Sequence, residues 1–426
     1  MNVMVVGGGG REHAIIKSLK KSEKIKKIYA APGNGGINYD AQCVNIKTTN
    51  IAAITDFTVE CFIDYIVVAP DDPLAIGMVD ALERKGKKCF GPNMAAARIE
   101  SSKIFSKNLM KKYGIPTANF QTFSNSKEAE SYVSLSSVKY PLVIKADGLA
   151  LGKGVIIAEN RDEALAAINS IMTEKKFGES GANIVIEEFL TGHEVTVLAF
   201  TDGKTIKPMI SSMDHKRALD GNKGLNTGGM GVIAPNPYYT MEIAAICEET
   251  IFKKTIAAMQ SEGCPFKGCL YFGLMLTPAG PKVIEYNCRF GDPEAQAVLS
   301  LLETDLFDIM EAVTNEKLDE IDIKWSNQHA ACVILASGGY PESYKTGLTI
   351  NGLNAEGGAA AFSDDVVVYH AGTELALDGS FRTAGGRVLG IGANDISINR
   401  ALEKVYRTAS VINFDGIYYR KDIGSC

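Results

Sequence analysis

The sequence predicts a multidomain α/β and α+β chain: an open parallel α/β sheet first, a central unit of different texture, and a mixed α+β unit last. Three observations carry this. The chain has 426 residues, room for roughly two to four domains that each bury a core. Its first part alternates short apolar strands with helical spacing, which is the pattern of a parallel sheet. After Trp325 the pattern turns to short strands and a single long helix.

Taken in order, Val3–Val6 reads as a strand and Arg11–Leu19 as a helix, with Ala14, Ile15 and Leu19 on one face. Ile25–Ala30 and Tyr65–Ala69 are further strands, Pro73–Lys85 a helix and Lys88–Gly91 an apolar run. Ser101–Tyr113 is predicted helical and is stopped by Gly114 and Pro116. Ser126 can cap a helix to about Leu135, and Asn160 with Glu163 resembles a capping box for a helix to Met172. Leu142–Lys145, Val155–Ala158, Ile184–Phe189 and Glu194–Thr201 read as strands, with a hairpin turn at Asp202-Gly203. Ile243, Ile246, Cys247, Thr250 and Ile251 fit one helical face, ended at Gly263. Leu270–Leu276 and Lys282–Asn287 form a hairpin across Pro278–Gly280. The last unit has strands Ala330–Ala336, Val366–His370 and Arg387–Gly392 and a helix Ile396–Ile412.

Composition excludes several function classes. The net charge of −6 gives no global basic field for nucleic acid or anionic lipid. No apolar run approaches the ~18 residues of a membrane span, and the N-terminus has the form of a strand and glycine turn rather than a secretory leader. Nine cysteines lie scattered without a C-x-x-C pair. That reads as reduced thiols in a cytoplasmic protein, without zinc-ligand spacing.

The stretch Val283-Ile284-Glu285-Tyr286-Asn287-Cys288-Arg289-Phe290-Gly291-Asp292-Pro293-Glu294 carries the most chemistry. Strand side chains alternate with period two. Val283, Glu285, Asn287 and Arg289 are therefore expected on one face, and Ile284, Tyr286 and Cys288 on the other. A carboxylate and an amide oxygen are hard ligands of the kind Mg²⁺ takes beside substrate phosphates, and the arginine can grip a carboxylate or phosphate with two hydrogen bonds. A solvated edge strand with a surface ion pair would share the bare E-x-N-x-R pattern.

Three other segments suit anions or a nucleotide. Gly7-Gly8-Gly9-Gly10-Arg11 lies between a strand and a helix, where a free helix N-terminus favours a phosphate. It lacks the G-x-G-x-x-G form, because Glu12 takes the last glycine position, and the second strand runs into Pro32-Gly33-Asn34-Gly35-Gly36 rather than an acid. Lys145 ends a strand before the glycine-rich Asp147–Gly154, which can close over a triphosphate with Lys145 and Lys153 as point charges. Glu187-Glu188-Phe189-Leu190-Thr191-Gly192-His193-Glu194 brackets a bend between two strands, where an acid can take ribose hydroxyls and the backbone an adenine edge. Taken singly, each is also what a tight turn, a mobile surface loop or a solvated pair of acids looks like.

Their serial order resembles the ATP-grasp ligases, and within them the glycinamide ribonucleotide synthetase family, over nearly the whole chain. The motifs include Gly9-Gly10-Arg11-Glu12-His13-Ala14, Ala31-Pro32-Gly33-Asn34, Ser102-Lys103, Ile144-Lys145-Ala146-Asp147-Gly148, Glu187-Glu188-Phe189-Leu190, Asp214-His215-Lys216-Arg217, Asn226-Thr227-Gly228-Gly229-Met230-Gly231 and Glu285–Glu294. Asp71 stands where the family shows Glu, one methylene shorter, and Leu151 stands where a small residue is common.

The resemblance implies an N-terminal substrate-binding domain over 1–101, an ATP-grasp domain over 102–325 with a nucleotide lid at about 119–192, and a C-terminal α+β domain over 326–426. It implies ligation of glycine to 5-phosphoribosylamine through a glycyl phosphate, with ATP and Mg²⁺ or Mn²⁺ and no nucleic-acid or membrane partner. Glu285 and Asn287 would hold the metal. Lys103, Lys145, Gly148, Lys153, Glu187, Leu190 and Glu194 would bind ATP. Asp214 and Arg289 would take the ammonium and carboxylate of glycine. Gly8, Gly9, Gly10, Arg11, Asn34, Gly35 and Asp292 would hold the amine substrate. Lys145, Asp214 and Arg289 form the expected catalytic set. Another carboxylate–amine ATP-grasp ligase is the alternative. A nucleotide-binding sensor on the same fold would be expected to have lost Glu285, Asn287 or Lys145, and all three are present.

Overall fold

A computed structural model describes residues 1–149, 154–362 and 366–425. Its N-terminal sheet is wholly parallel, with the strands at Gln42–Cys43, Lys27–Pro32, Asn2–Gly7, Tyr65–Val68 and Lys88–Phe90 side by side in that order. The chain therefore runs outward from the first strand to Gln42–Cys43 and then crosses back to Tyr65–Val68 on the first strand's other flank. A crevice opens at the carboxyl ends of the strands at such a switch point, and Gly7–Gly10 and Pro32–Asn34 lie there. The apolar runs are fully buried on both faces, as helix-covered parallel strands must be (Val3, Val5, Ile66 and Val67 at 0–1% exposure).

Two antiparallel sheets follow. One joins Phe120–Phe123, Ile184–Glu188, Leu142–Ala146 and Val155–Ala158; the other joins Ile206–Pro208, His193–Asp202, Lys267–Thr277 and Gly280–Asn287. The last large sheet orders Met213–Asp214, Gly231–Ala234, His329–Ala336, Arg387–Asp395 and Val367–His370, backed by the helix Ile398–Ala409. Two of its strands come from before residue 325, so this sheet ties the middle of the sequence to its end. Among the described residues no helix is long and apolar enough to cross a membrane.

Several elements differ from the sequence expectation. The strand Gln42–Cys43 and the helix Ile51–Glu60 lacked a clear period and were not foreseen. Pro73–Lys85 is not one helix: Gly77, at φ +84°, divides Asp71–Ala75 from Met78–Glu83. Ser102 does not continue a helix from Ser101. Its hydroxyl accepts from the Phe105 amide and opens Lys103–Tyr113, while a separate helix, Met94–Ser101, precedes it. Asn125, rather than Ser126, caps Ser126–Val133. The final helix is shorter than Ile396–Ile412, because Ser397 caps it.

The largest departure lies in the Glu285 strand. Its pairing with Lys267–Thr277 slips between Gly273, opposite Glu285, and Leu274, opposite Val283. Ile284 is the extra residue of a β-bulge, which resets the alternation. Val283 consequently packs in the same core as Tyr286 and Cys288, all at 3% exposure or less, rather than beside Glu285. Glu285, Asn287 and Arg289 keep their shared parity.

Candidate active site

Glu285 Oε1 lies 3.1 Å from Lys216 Nζ. Lys216 foremost, with Lys145 and Lys103, holds the Glu285 carboxyl down at about 2, against a burial effect of opposite sign. Glu285 is thus an anion held in place by lysines. Asn287, oriented by its neighbours, donates from Nδ2 to Glu100 Oε1 at 2.9 Å and to the Tyr286 carbonyl at 3.2 Å, which leaves its oxygen as the acceptor. Among the described residues no three His, Cys, Asp or Glu side chains group into a self-sufficient metal cage. One ionised carboxylate and one amide oxygen instead fit a hard divalent ion that completes its shell with phosphate and water.

The lysines are themselves braced. Lys145 Nζ donates to the Ile284 carbonyl at 3.1 Å, made available by the bulge, and lies 3.1 Å from Glu187 Oε1. Glu187 is buried and also pairs with Lys107 at 2.9 Å. Burial foremost brings the Lys107 ammonium down to about 8, although Glu187 opposes this. Glu187 therefore sits beneath Lys145 as its counter-ion, while Glu194 stands half-exposed 4.0 Å from Lys216 and Leu190 lies half-buried in the bend between them.

Lys103 Nζ donates to the Gly148 carbonyl at 2.8 Å. The Asp147 carboxylate accepts from the Ser102 hydroxyl and the Ile104 amide, both at 3.1 Å, so the start of the loop after Leu142–Ala146 docks on a helix N-terminus. Gly148 is at φ +139°, and an added Cβ would lie 2.5 Å from Ser180 Oγ. Lys153 falls outside the described residues.

Asp214 is half-buried as a residue, but its Oδ1 is fully buried and unpartnered. Burial foremost, then the nearby Glu294 carboxylate, raises its carboxyl well above the ordinary range. Glu294, almost fully buried, reaches Arg289 as well as Asp214 with its charge. Arg289 Nη2 lies 3.1 Å from Glu100 Oε1 and Nη1 donates to the Phe290 carbonyl at 3.3 Å, with Nε unpartnered. Burial opposes its charge, but Glu100 and Asp71 more than offset this and keep it firmly cationic. An orphaned carboxyl oxygen and an incompletely paired guanidinium suit the two ends of an amino acid.

A separate cleft of about 430 Å³ lies between the N-terminal loops and the last sheet, lined by Gly8, Gly9, Gly33, Asn34, Asp292, Tyr340, Ala371–Thr373, Ala384 and Arg387. Several expected ligands have other partners here. The Gly9 amide is taken by Glu12 Oε2 at 2.6 Å, in a capping box that also holds Arg11 Nε, while Arg11 Nη1 donates to the Phe290 carbonyl. The Asn34 amide bridges the Gly8 and His370 carbonyls at 2.9 and 2.8 Å. A Cβ on Gly35 would meet the Glu374 backbone at 2.8 Å, so its glycine has a packing reason independent of any ligand. Gly10 starts the first helix under Gln296 and Asp292.

Arg387, Lys216, Lys107 and Glu100 were not foreseen as site residues. Arg387 joins Asp292 (Nη2–Oδ2 3.3 Å) and donates to the Gly228 and Asp292 carbonyls at 2.8 and 2.6 Å. Its one local hint is a charge opening an apolar strand after Gly385-Gly386. A second hollow, about 710 Å³ along Gly114–Gln121 and Ser137–Lys139, contains none of these lysines, although its wall includes Glu188 and Thr117, which accepts from Lys107 at 2.7 Å.

Models of the phosphoribosylglycinamide synthetase family match in three consecutive parts: the N domain at residues 1–100, the ATP-grasp (A) domain at 101–295 and the C domain at 330–426. The chain is 48% identical to a phosphoribosylamine–glycine ligase of Caldanaerobacter subterraneus, over 100% of both chains. It is 45% identical to one of Clostridium acetobutylicum, over 100% of this chain and 99% of the other. The trifunctional purine biosynthetic protein adenosine-3 of Gallus gallus is 46% identical, over 99% of this chain and 42% of its own length. The crystal structure of a Thermotoga maritima phosphoribosylamine–glycine ligase superimposes with a TM-score of 0.85 at 31% identity, covering 99% of this chain and 100% of that one. A biotin carboxylase from Campylobacter jejuni, at 16% identity and a TM-score of 0.74, shares the fold.

Proposed function

The chain belongs to the phosphoribosylglycinamide synthetase family, and from that premise we propose that it ligates glycine to 5-phosphoribosylamine, forming glycinamide ribonucleotide, ADP and phosphate in de novo purine biosynthesis. The observation that carries the reading is Asp214: a buried carboxyl oxygen without a partner, with Arg289 in reach of the same Glu294. A buried carboxyl oxygen needs a partner, and the ammonium of a small zwitterion supplies one that favours the ionised form.

A carboxylate is a poor electrophile, so the γ-phosphoryl group of ATP is transferred first to an oxygen of glycine. The amine then attacks the carbonyl carbon of glycyl phosphate, and phosphate leaves with the bonding pair. No protein nucleophile takes part; the catalytic work is positioning and charge stabilisation. Lys103, Lys145 and Lys216 face the charge on the phosphates, with Glu187 and Lys107 fixing Lys145 from below. Glu194 receives the ribose and the Glu187–Leu190 connection the adenine. Glu285 and Asn287 would hold Mg²⁺ or Mn²⁺, which neutralises charge on the transferring phosphoryl group. Asp214 and Arg289 orient glycine. The cleft from Gly8 to Arg387 receives the sugar phosphate, with Asp292 suited to its hydroxyls. We assign these roles to parts spanning 1–101, 102–325 with its lid at about 119–192, and 326–426, in a cytoplasmic setting that the free thiols of Cys89, Cys269 and Cys332 support.

A coupled assay for ADP release is expected to require glycine and phosphoribosylamine together, with alanine a poor substitute. A pocket that excludes one methyl group discriminates by only about 1–3 kcal/mol. ADP release independent of the amine would overturn the reading. For the lid, hydrogen exchange across Asp147–Gly154 is expected to slow when an ATP analogue and Mg²⁺ are added, as Lys103 trades the Gly148 carbonyl for phosphate. Identical exchange with and without nucleotide would rule out a closing lid.

A further inference from the structure

Glu100 reaches three groups of the Glu285–Arg289 segment at once. Its Oε2 accepts from the Cys288 amide at 2.7 Å. Its Oε1 accepts from Asn287 Nδ2 at 2.9 Å and lies 3.1 Å from Arg289 Nη2. The side chain is 7% exposed and rises from the helix Met94–Ser101, outside the strand it serves. We propose that Glu100 is a positioning residue that sets the metal-facing orientation of Asn287 and the glycine-facing orientation of Arg289 together.

The argument is one of donors and acceptors. An asparagine amide presents either its oxygen or its nitrogen, and the two ends fit the same space. With Nδ2 donating to Glu100 and the Tyr286 carbonyl, the oxygen is the end that remains for a cation. The Cys288 amide and Arg289 are donors too, so the position demands acceptors on both oxygens and tolerates no donor. A glutamate carboxylate, which burial pushes up and the Arg289 charge beside it pulls back down, meets that demand, whereas a glutamine places an NH₂ group against at least one N–H. Groups that orient metal ligands from behind typically change metal affinity or activity by about 10–100-fold when altered.

This inference rests on the proposed roles of Asn287 and Arg289, and its test separates the two. Mn²⁺ binding is measured by electron paramagnetic resonance, with the protein saturated by an ATP analogue whose γ-phosphoryl group cannot transfer. Glycine KM and kcat are measured alongside. Glu100→Gln is expected to weaken Mn²⁺ binding about 10–100-fold and to raise glycine KM, with kcat less affected and metal-free analogue binding unchanged. Because a general loosening of the fold could imitate one loss, Glu100→Gln is also combined with Arg289→Lys. The two changes are expected to be strongly non-additive on glycine KM, as for residues acting through one contact. If Glu100→Gln lowers the unfolding midpoint too far for titration, Glu100→Asp takes its place; its carboxylate falls one methylene short of the three donors, so the same losses are expected. Wild-type Mn²⁺ and glycine behaviour in the Glu100 variant, beside a Glu285→Gln control that loses Mn²⁺, would overturn the role of Glu100 alone. Additive effects with Arg289→Lys would do the same. A Glu285→Gln control that binds Mn²⁺ like the wild type would overturn the metal assignment and this inference with it.

Discussion

Replacing Glu285 by glutamine is expected to leave a folded protein whose turnover falls by roughly 10²–10³-fold, the equivalent of about 3–4 kcal/mol of transition-state stabilisation. The fold survives because the strand is anchored by its other face, where Val283, Tyr286 and Cys288 are buried. The activity fails for two reasons. The hard anionic ligand is gone, and Lys216 loses the carboxylate it pairs with at 3.1 Å. Because Lys216 and its neighbours keep Glu285 ionised down to about pH 2, the defect should be the same at pH 6 and pH 8. Circular dichroism and steady-state kinetics of the variant test this. Unimpaired turnover at ordinary Mg²⁺ would end the assignment.

Asp214→Asn is expected to damage glycine use about as severely, by a different route. The substitution keeps shape and removes charge. Truncating one member of a buried, hydrogen-bonded charge pair costs about 2–5 kcal/mol, so glycine KM should rise by at least ~30-fold while ATP KM changes little. The pH dependence gives a second signature. Burial and Glu294 raise the Asp214 carboxyl well above its ordinary range, so in the free protein it is protonated up to that raised value. An ammonium partner favours the ionised form. Wild-type glycine binding should therefore strengthen as pH rises through that range, with a proton released on binding, and the variant should lack the dependence. Isothermal titration in buffers of different ionisation heat measures the released proton directly. An unchanged glycine KM in the variant would remove Asp214 from the glycine site.

What the sequence made legible follows physical range. The parallel sheet and the Glu285–Arg289 face were readable because period-two alternation and turn chemistry act over a few residues. The bulge at Ile284 was not, since nothing in V-I-E-Y-N marks the slipped partner on the neighbouring strand. Its result is that Val283 packs with the core and the Ile284 carbonyl meets Lys145. Glu100 lay hidden in a helix with no motif of its own, and its meaning comes from contacts 188 residues away. Arg387 offered only the hint of a charge opening an apolar strand, because its partner Asp292 is distant in sequence. Asn34 and Gly35 were expected, through the family resemblance, to hold the amine substrate, but their amide and missing Cβ also meet structural needs. A loop built for close backbone approach carries the same local composition whether it meets a phosphate or another domain.

The cleft between the first glycine loop and the last sheet has a consequence for how the enzyme is made. One wall leaves the ribosome with Asn34, the other with Arg387. On the order of 350 residues separate them, roughly 20–70 s of synthesis at 5–20 residues per second. A nascent chain can fold its parallel sheet early and still lack the complete cleft that we assign to the sugar phosphate. Prematurely terminated products should therefore be inert toward that substrate instead of partly active.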